Sequence, residues 1–211
     1  MIYQLDNILR DVRVCLDQNM SSSTLSLSED IDTLSLDDII RSKIVEACRR
    51  VETEAPYYLL DGGSNFGDEL YWEDSYSGWV LLPPDFMRLV VFEMDDWEQA
   101  VYTAISTGSP DYELQRGRVK GLRGTPERPV CALAVRGEGK VLEFYSCKNS
   151  DALVSRAVYL PYPSIDADGG IDICERLYEA VVYTAAGLTL LTCGETDKAN
   201  ILSEVAKTFI K

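Results

Sequence analysis

The chain contains no histidine. The side chain that most often serves as a general base is therefore missing, and Ser-His or Cys-His triads cannot form within one chain. Carboxylates remain, 35 of them, and the densest group is Glu93, Asp95, Asp96 and Glu98. Such a group could work as an acid/base pair or hold a divalent cation for hydrolase or nuclease chemistry. The same spacing also describes a solvated turn, and in so acidic a chain it arises by chance. Asp166-Ala-Asp-Gly-Gly-Ile-Asp172 has some carboxylate spacing of a calcium loop but lacks its further ligands and closing glutamate. It reads as a glycine turn with a carboxylate near a helix N-terminus. Gly137-Glu-Gly-Lys140 has neither the length of a phosphate loop nor a Ser/Thr after the lysine, and reads as a hairpin turn. Cysteines at 15, 48, 131, 147, 174 and 193 are never closer than 16 residues, whereas zinc needs clustered ligands. They read as small hydrophobes in a reducing compartment. No metal, cofactor or catalytic residue is expected.

Two segments have the composition of contact surfaces. Arg116, Arg118, Lys120, Arg123 and Arg128 place five bases in positions 116–128, where the average of 20 in 211 would place about one. Interleaved glycines and Pro126 suggest an extended, adaptable loop able to meet an acidic neighbour or a passing phosphate backbone. Solvated arginines without a partner are the alternative. Tyr57, Tyr58, Phe66, Tyr71, Trp72, Tyr76 and Trp79 crowd a polar, turn-rich stretch. Aromatic rings bury large areas at small entropic cost, which suits an interface or packing onto the chain's own body. Tyr71, Trp72 and Trp79 are the candidate contact residues there.

These segments must be carried by regular elements. Leu5, Ile8, Leu9, Val12, Cys15 and Leu16 fall at helical spacing and predict a helix over 3–18. The Ser-rich, acidic stretch near 19–35 reads as a mobile loop. Ser35 and Asp38 form a capping box for a helix over 36–54, which Pro56 stops. Runs at 79–82, 87–94, 100–105, 130–136, 140–146 and 153–160 predict strands, the fourth and fifth joined as a hairpin. Residues 171–193 predict a long helix, apolar nearly all round and therefore buried on most sides. Gly194 would stop it, and Thr196 would cap a last helix over 197–210. The expected fold is α+β, mainly α: a single domain over 1–211, a helical bundle with a β-rich hairpin insert at about 78–160.

A net charge of −15 repels polyanions at long range. It disfavours sequence-reading DNA recognition and docking on anionic membranes. It suits a wall past which DNA slides, an acidic inhibitor that mimics DNA, or simple solubility. The first residues lack a secretory signal layout and no apolar run reaches membrane-spanning length, so a cytoplasmic chain is expected.

Ala55-Pro56 at a helix end, then Gly78-Trp-Val-Leu-Leu-Pro-Pro-Asp-Phe-Met-Arg-Leu-Val-Val91, resembles the head-to-tail adaptor (connector, neck ring) proteins of tailed bacteriophages. The motif spans Leu82 through Leu89. The hairpin from Pro129 through Gly137-Glu-Gly-Lys140 to Phe144-Tyr145 matches a strand pair of that family. The small residues Ala180, Ala185, Ala186 and Gly187, followed by Gly194-Glu-Thr-Asp-Lys-Ala199, resemble its closing helices. The resemblance covers most of the chain in order and spacing. It implies a virion protein assembled in the host cytoplasm. Its partners would be itself, in a ring of typically twelve copies, the portal protein, and other neck or tail proteins, with DNA passing through unbound. Twelve copies would carry about −180.

Overall fold

The computed structural model describes residues 1–19, 35–117 and 120–211. The Ser-rich stretch expected as a loop lies almost entirely outside them. In chain order the elements are β1 (Ile2–Gln4), α1 (Leu5–Asn19), α2 (Leu36–Glu54), β2 (Ser64–Asn65), β3 (Leu70–Trp72), β4 (Gly78–Leu81), β5 (Phe86–Met94) and β6 (Ile105–Ser106). They continue with α3 (Pro110–Arg116), β7 (Cys131–Arg136), β8 (Gly139–Phe144), β9 (Val154–Pro161), β10 (Gly170–Asp172), α4 (Tyr178–Thr192) and α5 (Thr196–Thr208). The expectation of a mainly helical fold is corrected: the chain is 39% helical and 26% strand, with five helices and three sheets among the described residues. It divides into two compact units, residues 1–62 with 163–211, and residues 63–162.

The first unit is helical. α2 begins where its capping box predicts: Ser35 Oγ accepts the Asp38 amide at 3.2 Å, and the Asp38 carboxylate accepts the Ser35 amide at 3.2 Å. Its apolar stripe, Ile40, Ile44, Ala47, Cys48 and Val51, is buried. α4 packs against α1, α2 and α5, which is why Ala180, Val181, Val182, Ala185, Ala186 and Leu190 are all buried. Gly187 lets α5 approach closely, since a Cβ there would meet Ala199 O and Ser203 Oγ at 3.3 Å. Gly194, at φ +83°, turns the chain between α4 and α5, a conformation glycine adopts without steric cost.

Two helix boundaries differ from the sequence reading. α4 starts at Tyr178, seven residues after the expected 171, because Gly170–Asp172 pairs antiparallel with Ile2–Gln4. Thr196 is the first residue of α5 and does not cap it; Glu195 precedes it with no side-chain cap. Asp166 Oδ1 accepts the amides of Asp168 (2.9 Å) and Gly170 (2.7 Å), so the supposed calcium spacing builds a turn into β10.

The second unit is a β structure. A five-stranded sheet has the order β3-β4-β8-β7-β6, antiparallel except for the β6–β7 pair. A second sheet has the order β2-β9-β5. Alternation along β8 sends Leu142 and Phe144 to one face, where they meet Val80, Phe92, Phe66 and Tyr159 in the main core. The other face carries Val141, Glu143 and Tyr145. The 100–105 run yields only a bridge at Val101 to Phe92 and the short β6.

Candidate interaction surface

The basic segment begins at α3. Ser109 caps this helix by accepting the Asp111 amide at 3.3 Å, and Pro110 occupies its first position. One face of α3 buries Tyr112 and Gln115. Tyr112 packs with Ala132, Tyr145 and Ile105 over the second face of the five-stranded sheet. Its hydroxyl donates to Glu143 Oε2 at 3.0 Å, and the Tyr145 hydroxyl donates to the same oxygen. Arg136 donates from Nε (2.9 Å) and Nη2 (2.5 Å) to Glu143 Oε1, and from Nη1 to Glu73 Oε1 (2.5 Å).

Glu143 is thus a carboxylate 3% exposed that accepts from two phenols and a guanidinium. Burial raises its pKa, but the bonds from Tyr145, Arg136 and Tyr112 outweigh burial and hold it below the usual carboxylate range. Burial and the Glu143 charge together push the Tyr145 phenol far up. The network is charged, satisfied and locked at neutral pH.

From this anchor the segment is shaped by its own hydrogen bonds. Gln115 Oε1 accepts the Gly124 amide at 2.7 Å. Arg123 donates twice to Gly117 O, at 2.8 and 2.5 Å, and its guanidinium lies 4.9 Å from the centre of the Tyr76 ring. Thr125 and Arg128 exchange backbone bonds of 3.2 and 2.8 Å. The expectation of an extended loop is corrected for the described residues: α3 runs to Arg116, a 3-10 turn covers Lys120–Leu122 and a tight turn joins Thr125 to Arg128, where Arg123 and Gln115 satisfy backbone groups that an extended loop would leave to water.

The candidate residues separate into distinct roles. Arg116 is exposed on the last turn of α3, 5.6 Å from the Tyr112 ring centre. The side chain of Arg128 is exposed. Arg123 is half-buried and holds the segment's shape. Arg118 and the side chain of Lys120 lie outside the described residues. Tyr71, 40% exposed, stacks on Trp79 at 4.2 Å, and Arg136 covers Trp79 at 5.3 Å. Trp72 points the other way, edge-on to Phe144 at 5.2 Å, and supports the core. So Tyr71 and Trp79 come together with Arg136, and of the five bases Arg123 meets the Tyr76 ring.

Glu143, Arg136, Tyr112 and Tyr145 were not singled out from sequence. A signal for Glu143 exists: it interrupts the strand Val141-Leu-Glu-Phe-Tyr145 on the face shared by Val141 and Tyr145, where an apolar residue would be expected.

The acidic group at 93–98 has a local role. Asp95 Oδ1 accepts the Leu153 amide at 3.0 Å, and Asp96 Oδ2 accepts the Lys148 amide at 2.5 Å, fixing the β8–β9 connection. Among the described residues no group of three or more Cys, Asp or Glu side chains is arranged to hold a metal ion. Five cysteines are buried, Cys193 is half-buried, and none is in a disulfide. Burial pushes the Cys147 thiol up to about 12, with help from Asp96, and the Cys174 thiol up to about 11, so both stay protonated at neutral pH. Among the described residues no helix is long and apolar enough to cross a membrane. No protein-family model matches the chain, and no curated protein matches it in sequence.

Proposed function

We propose that this chain is the repeating subunit of a ring between the portal and the tail of a tailed bacteriophage, extending the channel through which DNA passes. One observation carries the reading. A chain of net charge −15 holds a basic segment, 116–128, with Arg116 and Arg128 exposed. Copies in a closed ring meet through two unlike patches, so each needs a surface complementary to a different part of its neighbour. Opposite charges on one subunit meet that need, and they favour correct docking over self-repulsion. The acidic remainder keeps a polyanion from adhering to the channel wall. The resemblance of Leu82 through Leu89 and of the 129–145 hairpin to adaptor proteins points to the same role.

The test is the variant Arg116→Glu with Arg128→Glu. Both side chains are exposed, so the melting temperature should stay at the wild-type value. Incorporation into particles should fall by at least about tenfold, equivalent to ~1.4 kcal/mol. Normal incorporation would remove the basic segment from the account.

A further inference from the structure

We propose that the cavity beside the Thr125–Arg128 turn, with Arg123 and Ser146 as its hydrogen-bond donors, binds a small carboxylate carried on a flat apolar body. This inference is independent of the ring reading.

The cavity measures about 140 Å³ and lies wholly within residues 63–162. Its walls are fixed by bonds already made. Gln115 Oε1 accepts the Gly124 amide at 2.7 Å, Ser146 Oγ accepts the Val130 amide at 3.0 Å, and Tyr76 O accepts the Cys147 amide at 3.1 Å. The packing needs glycine at 124, since a Cβ there would stand 2.3 Å from Ser146 Oγ. Walls set before a ligand arrives lose little conformational freedom on binding.

The bonding capacity left over selects the ligand. Arg123 is half-buried, and its Nε and Nη2 both donate to Gly117 O, a neutral carbonyl that leaves the charge uncompensated. Among the described residues its Nη1 has no acceptor and the guanidinium has no ion-pair partner, in a chain of 35 acids and 20 bases. Ser146 is 2% exposed, and its hydroxyl proton has no acceptor among the described residues. A cation and a buried hydroxyl, both with protons to give, require acceptor oxygens, and a guanidinium fork matches a planar carboxylate. The remaining walls include the Tyr76 and Tyr145 rings, Pro126 and the Cys147 thiol. The Tyr145 hydroxyl is committed to Glu143. Flat apolar walls suit an aromatic body and leave a strongly hydrated anion such as phosphate short of donors. Acids stand nearby: Asp96 beside the Cys147 thiol, Glu98, whose amide bonds Pro126 O at 2.9 Å, and Glu127, which Lys148 partly offsets. None of them lines the cavity, where Arg123 carries the one charge among the described lining residues.

Titrating benzoate into the isotope-labelled chain and following its amide resonances tests this. The amides of Gly124, Thr125, Ser146 and Cys147 should move together and reach half-saturation below about 10 mM. Benzamide, neutral with the same ring, should bind at least about tenfold more weakly, ~1.4 kcal/mol. Arg123→Gln should weaken benzoate binding by at least the same factor. Because Arg123 also shapes the segment, the benzamide comparison on wild type decides the matter if that variant misfolds. Four results overturn the inference: no saturable movement at these amides, benzamide binding as tightly as benzoate, inorganic phosphate binding as tightly as benzoate, or undiminished binding by a folded Arg123→Gln. None of them touches the ring reading.

Discussion

Glu52 in the helical unit and Glu143 in the β unit are equally buried, each 3% exposed, yet their pKa values move in opposite directions. Burial pushes Glu52 up to about 7, only partly offset by the Cys174 amide it accepts at 3.3 Å, while the charge of Asp172 adds to the rise. Glu143 meets the same desolvation, but two phenols and Arg136 more than offset it. Depth alone therefore does not decide whether a carboxylate keeps its charge; donors placed around it do. The comparison also separates the units. The helical unit packs apolar helices and carries one reluctant acid, whereas the β unit uses a charged network to fix its basic segment.

Removing the network should give the largest effect. Glu143→Ala leaves Arg136 and two phenols without their shared acceptor and should cost about 3–5 kcal/mol in denaturant unfolding. Glu143→Gln should cost less. If Glu143→Ala is harmless, the segment is held by other contacts.

Glu52 should give a pH effect of the opposite kind. Below about 4.5 the carboxyl is protonated in both folded and unfolded chains. Between 4.5 and about 7 the unfolded chain ionises while the folded one retains its proton. Stability attributable to this group therefore falls as pH rises through that window, by about 3 kcal/mol in all, and the loss is complete above it. Glu52→Gln should remove this slope and be more stable than wild type at pH 8. Parallel stability curves for wild type and Glu52→Gln from pH 4.5 to 8 would show that the acid is ionised throughout.

Packing predictions are smaller. Gly187→Leu should overfill the α4–α5 contact, where even a Cβ would meet Ala199 O and Ser203 Oγ at 3.3 Å, and cost about 1–3 kcal/mol. Ser35→Ala removes half of a capping box and should cost about 1 kcal/mol, read as a small drop in melting temperature.

The two units differ too in how far they could be read from sequence. The span of α2 was legible at 36–54 because cap, apolar stripe and stop signal agree on it. β7 and β8 were legible because alternation runs on both sides of a glycine turn. β1, β2, β3, β6 and β10 were not, since strands of two or three residues are too short to show a period. β10 borrowed the front of an apparent helix at Ile171, a boundary set by pairing with the distant β1. Likewise the basic segment showed its charge in sequence but not its shape, which depends on Gln115 reaching Gly124 and Tyr112 reaching Glu143.

The most direct measurement is a reconstruction of the chain in its native particle without imposed symmetry. The account predicts a closed circle of identical copies below the portal, typically twelve, each presenting unlike surfaces to its two neighbours, with DNA running through the centre. Copies arranged without a rotation axis, or absent from the neck, would contradict it.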